Sequence, residues 1–467
     1  MAKLYIFGIG GTGARVLRSF TMLMAAGVKL NIDEVVPIII DPDHSNADLT
    51  RTVSLMNSYA SIRSKLTFPD ENQNKFFHSE LLKELNNYSL RINDTDDKTF
   101  KQFIGLPSMS RESQAMMRIL FSNKNLEASM EVGFKGNPNI GSVVLNQIVN
   151  SADFVDFANS FASGDKIFII SSIFGGTGAS GFPLLLKTLR TGSSFPNNDI
   201  INNAEIGAVT VMPYFKLDSC EESEIDSSTF ISKTKSALAY YENNICKNGS
   251  IDSLYYLADD MSNTYENHEG GSAQQNDAHL IEFLAATAIV DFANNPNETG
   301  ATINKELGLK DLEGTITFDS FYEHEKRMFF SPLTQFMFLC NSLIDQWKFF
   351  SSSSFNANNE NFQDFYDTSF MNLLVDFCKK YKEWLIEMKR NKRSLDLFNT
   401  ECGDKPFDVV TGVKPAKIVS LKSDYSLVAD RLNSKVRKCK SKSKEDKFLE
   451  MFYLGTQQLF KEKINKA

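Results

Sequence analysis

Two glycine-rich stretches of this chain each sit where an apolar run gives way to a helical pattern, a placement suited to holding phosphate. The first is Gly8-Ile9-Gly10-Gly11-Thr12-Gly13. The second is Phe174-Gly175-Gly176-Thr177-Gly178-Ala179-Ser180-Gly181. Without Cβ atoms a backbone can approach a phosphate closely, and a helix start adds unpaired N–H groups and a positive dipole end. Thr177 and Ser180 can add hydroxyl donors to such a ring of amides. Taken alone, the first stretch also suits a dinucleotide-binding unit, with Asp41 as its ribose-contacting acid. The second stretch is not needed by such a unit. It lacks the Lys of a P-loop, so it is no Walker motif.

Stepping outward, each loop has an element on either side to position it. Residues 3–7 read as a buried strand, 14–26 as a helix, and Val35–Ile40 as a second apolar strand ending at Asp41-Pro42-Asp43. That order is a βαβ unit and predicts a parallel sheet. The pattern predicts helices at 48–64, 76–87, 110–122 and 142–162, with an insertion at about 60–125. Lys166–Ser171 is the clearest strand, and a helix is expected from Pro183 to Leu189. Further strands are expected at 206–211 and 254–258, and a helix at 229–244. Ala278–Ala293 is apolar on more than one face, which predicts a helix buried between two layers. Beyond Asn294 the strand–helix alternation fades. Helices are expected at 333–350, 362–392 and 444–464.

A chain of 467 residues is long for a single core, which predicts at least two domains. Its net charge of −8 argues against broad binding to nucleic acid or an anionic membrane. A basic stretch at Lys435, Arg437, Lys438, Lys440, Lys442 and Lys444 reads as a solvated linker or helix end, with a binding role as the alternative. The six Cys form no CxxC or Cys/His spacing, and five His without paired spacing make no metal site. The N-terminus has no signal-peptide pattern, and no segment has eighteen uninterrupted apolar residues. Together these predict a cytoplasmic protein with no membrane span and no nucleic-acid partner.

With both loops in view, the sequence resembles the tubulin/FtsZ superfamily, whose signature is a GGGTGSG-type loop preceded by a GxGGxG-type loop. Gly133–Gly141, with Asn137-Pro138 inside it, matches the family's third phosphate loop in position. The resemblance covers roughly residues 1–295. It implies an α/β fold in which residues 1–277 form a parallel-sheet nucleotide-binding domain. Residues 295–467 read from their own pattern as a second, mostly α-helical domain, and the resemblance places a long central helix at 278–294 before it. It implies GTP/GDP and Mg²⁺ as cofactors, with nucleotide contacts at Gly10, Gly11, Thr12, Gly13, Asp41, Asn137, Gly175, Gly176, Thr177, Gly178, Ala179, Ser180, Asp218 and Asn276. Asn276 would contact the base, unless it only caps the helix, and Asp218 the ribose. Asp41 and Asp43 would lie near metal and phosphates, or form a simple turn with Pro42.

The sequence departs from the family in four places, one being that residues 295–467 do not read as the family's usual β-rich second domain. Phe174 replaces the signature's first glycine. Arg15 stands where FtsZ has a nucleotide-contacting Asn, and reads as a surface ion pair. No GxNxDxxD loop follows the central helix; Glu298, Glu306, Asp311 and Glu313 are the acids offered there, at irregular spacing, with Glu298 and Asp311 as the candidates for catalysis. The expected function is a guanine-nucleotide-binding, tubulin-like protein that self-associates and hydrolyses GTP slowly. The alternatives are a non-catalytic nucleotide-sensing module and an NAD(P)-binding enzyme.

Overall fold

In the computed structural model the described residues are 2–465, apart from 44, 70–71, 94, 96, 131–133, 135, 218–229, 262, 266–270, 272–274, 298–299, 311–313, 353–361 and 417–421. Apart from a separate pair of two-residue strands, Lys216–Leu217 and Thr264–Tyr265, the strands are β1 (Lys3–Ile9), β2 (Glu34–Ile40), β3 (Glu80–Leu81), β4 (Lys166–Ser172), β5 (Glu205–Val211), β6 (Ser253–Leu257) and β7 (Ile303–Glu306). They form one sheet in the order β3-β2-β1-β4-β5-β6-β7. Every pairing in it is parallel. β1 and β4 are buried on both faces along nearly their whole length, as expected of strands written as continuous apolar runs.

The connections place helix α1 (Gly10–Ala25) after β1, α2 (Ala47–Arg63) after β2, and α3 (Pro138–Leu145) before β4. Helix α4 (Gly176–Thr191) follows β4, and α5 (Phe230–Tyr241) lies between β5 and β6. Chain order reverses between β1 and β4, since β2 and β3 extend one way and β4 to β7 the other. That switch point, at the carboxyl ends of the strands, is where open α/β sheets bind ligands.

Helix α6 (Leu280–Asn294) is buried along almost its whole length, as its all-round apolar sequence predicts. Toward the sheet, Phe292 packs 5.3 Å from Phe168. On the other side Phe283 meets Phe329 and Trp384, at 5.0 and 6.2 Å between ring centres. Those rings belong to a helical layer made of α7 (Glu323–Ile344), α8 (Ser369–Arg390), α9 (Asp424–Val436) and α10 (Lys444–Leu459). The layer shares one hydrophobic core with the sheet. The Trp384 indole donates to Ser19 Oγ of α1 at 3.2 Å. The parallel sheet and the long central helix are the architecture that the tubulin/FtsZ resemblance implies, and the C-terminal region is helical, as its own sequence pattern predicts. No helix among the described residues is long and apolar enough to cross a membrane.

Several local expectations are corrected. Residues 76–87 are not a helix but the approach to the edge strand β3. The amides of Phe77, Glu80 and Leu82 donate to Ala25, Asp33 and Val35, so the segment's hydrogen bonds go to its neighbours and not back along itself. The single helix expected at 142–162 is two helices, α3 and residues 152–160. The second is capped by Ser151, whose Oγ accepts from the Phe154 amide at 3.1 Å. Both glycine loops belong to their helices, which begin at Gly10 and Gly176 and not at residues 14 and 183. The sheet also continues past Asn294, because Ile303–Glu306 pairs with β6. Helix α9 had no counterpart in the sequence reading.

Candidate functional site

Gly10 opens α1 at φ +70°, a backbone region that other residues enter only with strain. Its closeness to the second loop is the central geometric fact. A methyl group placed on Gly10 would sit 3.4 Å from Cβ of Thr177 and 3.8 Å from the Gly178 nitrogen. Within each loop the turns are tight. A methyl on Gly13 would lie 2.3 Å from the Gly8 carbonyl carbon, and one on Gly178 2.7 Å from the Ser172 oxygen. The third loop closes in from the other side, since a methyl on Gly176 would come within 3.1 Å of the nitrogens of Gly136 and Asn137. All three loops therefore meet at the carboxyl ends of β1 and β4, where the starts of α1 and α4 bring their unpaired N–H groups and positive dipole ends together.

Sequence reasoning missed a cation here. Lys233 on α5 donates to the Gly136 oxygen at 3.2 Å, placing an ammonium group against the third loop. A lone lysine in a helix pattern gave no signal for this. Two expected hydroxyl or amide contacts are otherwise engaged. Ser180 Oγ donates to the Gly176 oxygen at 2.7 Å and is buried, so it ties its own helix turn together. Asn137 caps α3, its Oδ1 accepting from the amides of Asn139 and Ile140 at 3.1 and 3.4 Å. Thr177 and Ala179 keep partial exposure on the loop's outer side, as does Gly175.

Asp41 follows Ile40 at the end of β2, in register with Ile9 of β1, and so lies beside the first loop. It is buried, and burial followed by the nearby Asp43 carboxylate pushes its pKa up to about 7. Asp43 is pinned, accepting from Ser45 Oγ at 2.9 Å and from the Gly271 amide at 2.7 Å. No group of three or more His, Cys, Asp or Glu among the described residues could hold a metal ion unaided. Two carboxylates beside phosphate-binding loops still fit Mg²⁺, which is commonly held by one or two carboxylates, substrate phosphates and water.

Arg15 is corrected from a surface residue to a buried one. Its guanidinium lies beneath the first loop, with Nη1 3.8 Å from where a methyl on Gly11 would be. It donates to Glu282 at 2.6 Å, Asp48 at 3.4 Å and the Tyr214 hydroxyl at 3.3 Å. Burial alone would lower its pKa, but Tyr214, Glu282 and Asp48 outweigh burial and raise it, so Arg15 remains a cation. Asp48 also binds Arg51 at 2.8 Å. Glu387 on α8 takes Arg18 at 2.6 Å, Arg51 at 3.1 Å and the Ala278 amide at 2.9 Å.

Asn276 joins this network. Asp48 accepts from its backbone amide at 3.1 Å and from Nδ2 at 2.8 Å. The capping role considered for Asn276 falls to His279, whose Nδ1 accepts from the Ile281 amide at 3.0 Å. Burial, then Arg15 and Arg393, lower the His279 pKa to about 3, so the imidazole is neutral. The spacing of His279 and Glu282 is that of a capping box, and it is the one sequence signal that could have marked Glu282. Asp218, Glu298 and Asp311 lie outside the described residues.

Fold and site together define a doubly wound parallel α/β protein with three glycine-rich loops meeting at its switch point. No protein-family model and no curated protein sequence matches the chain. Among solved structures it is similar to CetZ1 from Haloferax volcanii, a GDP-bound monomer, at 13% identity over 55% of this chain and 51% of that one, with a TM-score of 0.29. CetZ from Methanosaeta thermophila matches at 15% identity over 55% and 46% of the two chains, with a TM-score of 0.27. CetZ2 from H. volcanii, a GTPγS-bound protofilament, matches at 11% identity over 64% and 61%, with a TM-score of 0.30. The matched part spans from just under half to about three-fifths of those proteins' lengths.

Proposed function

We propose that this chain is a tubulin-like protein that binds a guanine nucleotide, with Mg²⁺, at the junction of its three glycine loops, and that copies associate head to tail. The observation that carries the reading is the approach of Gly10 to Thr177, with a methyl on Gly10 3.4 Å from Cβ of Thr177. One glycine loop suits many ligands. Two helix starts converging on one point, with a third loop behind them, suit a chain of phosphates.

Within this reading Gly10–Gly13 and Gly175–Ala179 cradle the phosphates, and Lys233 adds positive charge from α5. Asp41 and Asp43 would face the metal, which when bound balances phosphate charge. Asn276 would read the base. Its Nδ2 is committed to Asp48, so its Oδ1 is the side to present as an acceptor. An acceptor matches the N–H donors on guanine's pairing edge and opposes the adenine N1 lone pair.

The direction of α6 bears on hydrolysis. The helix starts beside Arg15 and ends with Asn294 bonded to Lys29 and Asn31, beyond the far end of α1. Fifteen residues at about 1.5 Å each carry the chain roughly 22 Å away from the loops. Glu298 and Asp311 follow that end in sequence and are assigned, as the resemblance implies, to the site of a neighbouring copy. A nucleotide-free preparation tested for thermal stabilisation by GTP, ATP and NAD distinguishes the readings. Stabilisation by GTP alone is expected, and stabilisation by NAD alone would refute the proposal.

A further inference from the structure

Phe174 stands where the family signature has its first glycine, and its ring has a definite place. Its φ is not positive, so the backbone makes no demand for glycine at this position. The side chain is buried. It packs against Phe230, the first residue of α5, at 4.9 Å between ring centres, and against Phe215 at 5.6 Å. Phe215 and Phe230 lie 6.2 Å apart. The three rings thus form a triangle, each pair within the range of favourable aromatic contact. One corner belongs to the second glycine loop, one to the chain leaving β5, and one to α5.

The consequence appears one turn further along α5. Phe230 and Lys233 are three residues apart and share a face of the helix, and Thr234 on the same side is buried. With Phe230 seated on Phe174, that face is turned toward the glycine loops, and Lys233 reaches the Gly136 oxygen at 3.2 Å. Gly136 in turn lies against the second loop, its nitrogen 3.1 Å from where a methyl on Gly176 would be. The contacts close a ring: Phe174 to Phe230, along α5 to Lys233, across to Gly136, and through Gly176 back to Phe174. The far end of α5 is held separately, where Tyr241 packs 5.1 Å from Phe182 of α4. The helix has twelve residues and at about 1.5 Å each is roughly 18 Å long. Between its two aromatic anchors Ile231, Ser232, Lys235, Ser236, Ala239 and Tyr240 are exposed. The anchor at Phe174 therefore sets where the ammonium group lies, and the one at Tyr241 keeps the helix attached without it.

We propose that Phe174 is a positioning residue for the nucleotide's terminal phosphate. By seating Phe230 it holds the start of α5 against the glycine loops and keeps Lys233 within reach of the charge that GTP carries and GDP lacks. The ring supplies placement and the ammonium group supplies charge. Lysine has three donors on a flexible stem, so a phosphate oxygen can be added to, or replace, the Gly136 carbonyl as its acceptor. This rests on the reading that the three loops bind a guanine nucleotide.

The test is a double-mutant cycle read by equilibrium binding of GTP and GDP with Mg²⁺. Lys233→Met and Phe174→Gly should each weaken GTP by about tenfold, the loss of one charge-assisted hydrogen bond, and GDP by less. The double variant should bind GTP no more weakly than Lys233→Met, because two changes that remove the same contact do not add. Phe230→Ala removes the stack from the helix side and leaves the loop's sequence intact. It should reproduce Phe174→Gly, and it carries the test if Phe174→Gly does not fold. Losses that multiply in the double variant, or that fall equally on GTP and GDP, would assign the ring to the loop or the core alone and overturn the proposal while the site stands. Unchanged GTP affinity in folded Phe174→Gly or Phe230→Ala would do the same. Wild type that binds neither nucleotide removes the site itself, and the proposal with it.

Discussion

Replacing Asp41 by asparagine removes a charge beside the first glycine loop while keeping the side chain's shape and its acceptor oxygen for the Asp43 amide, 3.2 Å away. In the folded protein the Asp41 pKa is about 7, against an ordinary value of 3.8. The sign follows from proton counting. Between those values the folded state holds a proton that the unfolded state has lost, so stability falls as pH rises from about 4 to about 7 and levels off above. Three pK units at about 1.4 kcal/mol each set an upper bound of about 4 kcal/mol on the cost of the charge at pH 8. The neutral amide of the variant carries no such cost. Urea unfolding should therefore find Asp41→Asn equal to wild type at about pH 3, below the unfolded value, and more stable at pH 8, by as much as that bound. Mg²⁺ with nucleotide should bring the pKa down and close the gap, releasing a proton that calorimetry in two buffers would detect. A stability difference that is the same at every pH would refute the assignment of a buried, uncompensated carboxyl to this position.

The remaining predictions concern the loops, the base, the phosphates and turnover. Gly176→Ala with Thr177→Ala should abolish GTP binding, because the added methyl lies 3.1 Å from two nitrogens of the third loop; unchanged affinity in a folded protein would count against the site. Asn276→Ala should weaken GTP binding by about ten- to a hundredfold and reduce discrimination against ATP, and equal losses for both nucleotides would assign Asn276 to structure alone. Lys233→Met should weaken GTP more than GDP in equilibrium binding, whereas a parallel loss would place the ammonium away from the terminal phosphate. Phosphate release from GTP should be near background in dilute protein, since the glycine loops themselves carry no group that would orient an attacking water; steady turnover that is independent of protein concentration would overturn that reading.

The parts of this molecule written as local runs were legible in its sequence. Apolar strands followed at once by glycines located β1, β4 and both glycine loops, because burial on two faces and tight turns each demand particular residue types. The all-apolar face pattern of Leu280–Asn294 likewise announced its place between two layers. What failed were features decided by distant partners. Residues 76–87 carry apolar side chains at helix-like spacing, Phe77, Leu81, Leu82 and Leu85, yet their amides pair with Ala25, Asp33 and Val35. Ser180 looked like a ligand-facing hydroxyl until its bond to the Gly176 oxygen turned it inward. Ile303–Glu306 is too short and too polar to read as a strand alone, and it becomes one because β6 offers an open edge. Lys233 and Asp48 reach the site from segments with no motif at all.

The network beneath the first loop explains why the helical layer and the sheet share one core. Arg15 and Arg18 come from α1, Asp48 and Arg51 from α2, Glu282 from α6 and Glu387 from α8, giving three cations and three carboxylates, nearly all buried. Hydrophobic side chains of similar size would cost less to bury, whereas removal of one partner leaves a bare buried charge at about 3–5 kcal/mol. Such a set tolerates one relative placement of its four helices and penalises others. Two of its members bear directly on the site: Arg15 lies under Gly11, and Asp48 holds Asn276. A shift of α8 that opened the Glu387 contacts would free Arg18 and Arg51, and through Arg51 and Asp48 it would loosen the residue expected to read the base. Position in the helical layer and the placement of Asn276 are therefore linked by charge pairing across roughly one helix diameter, about 10 Å.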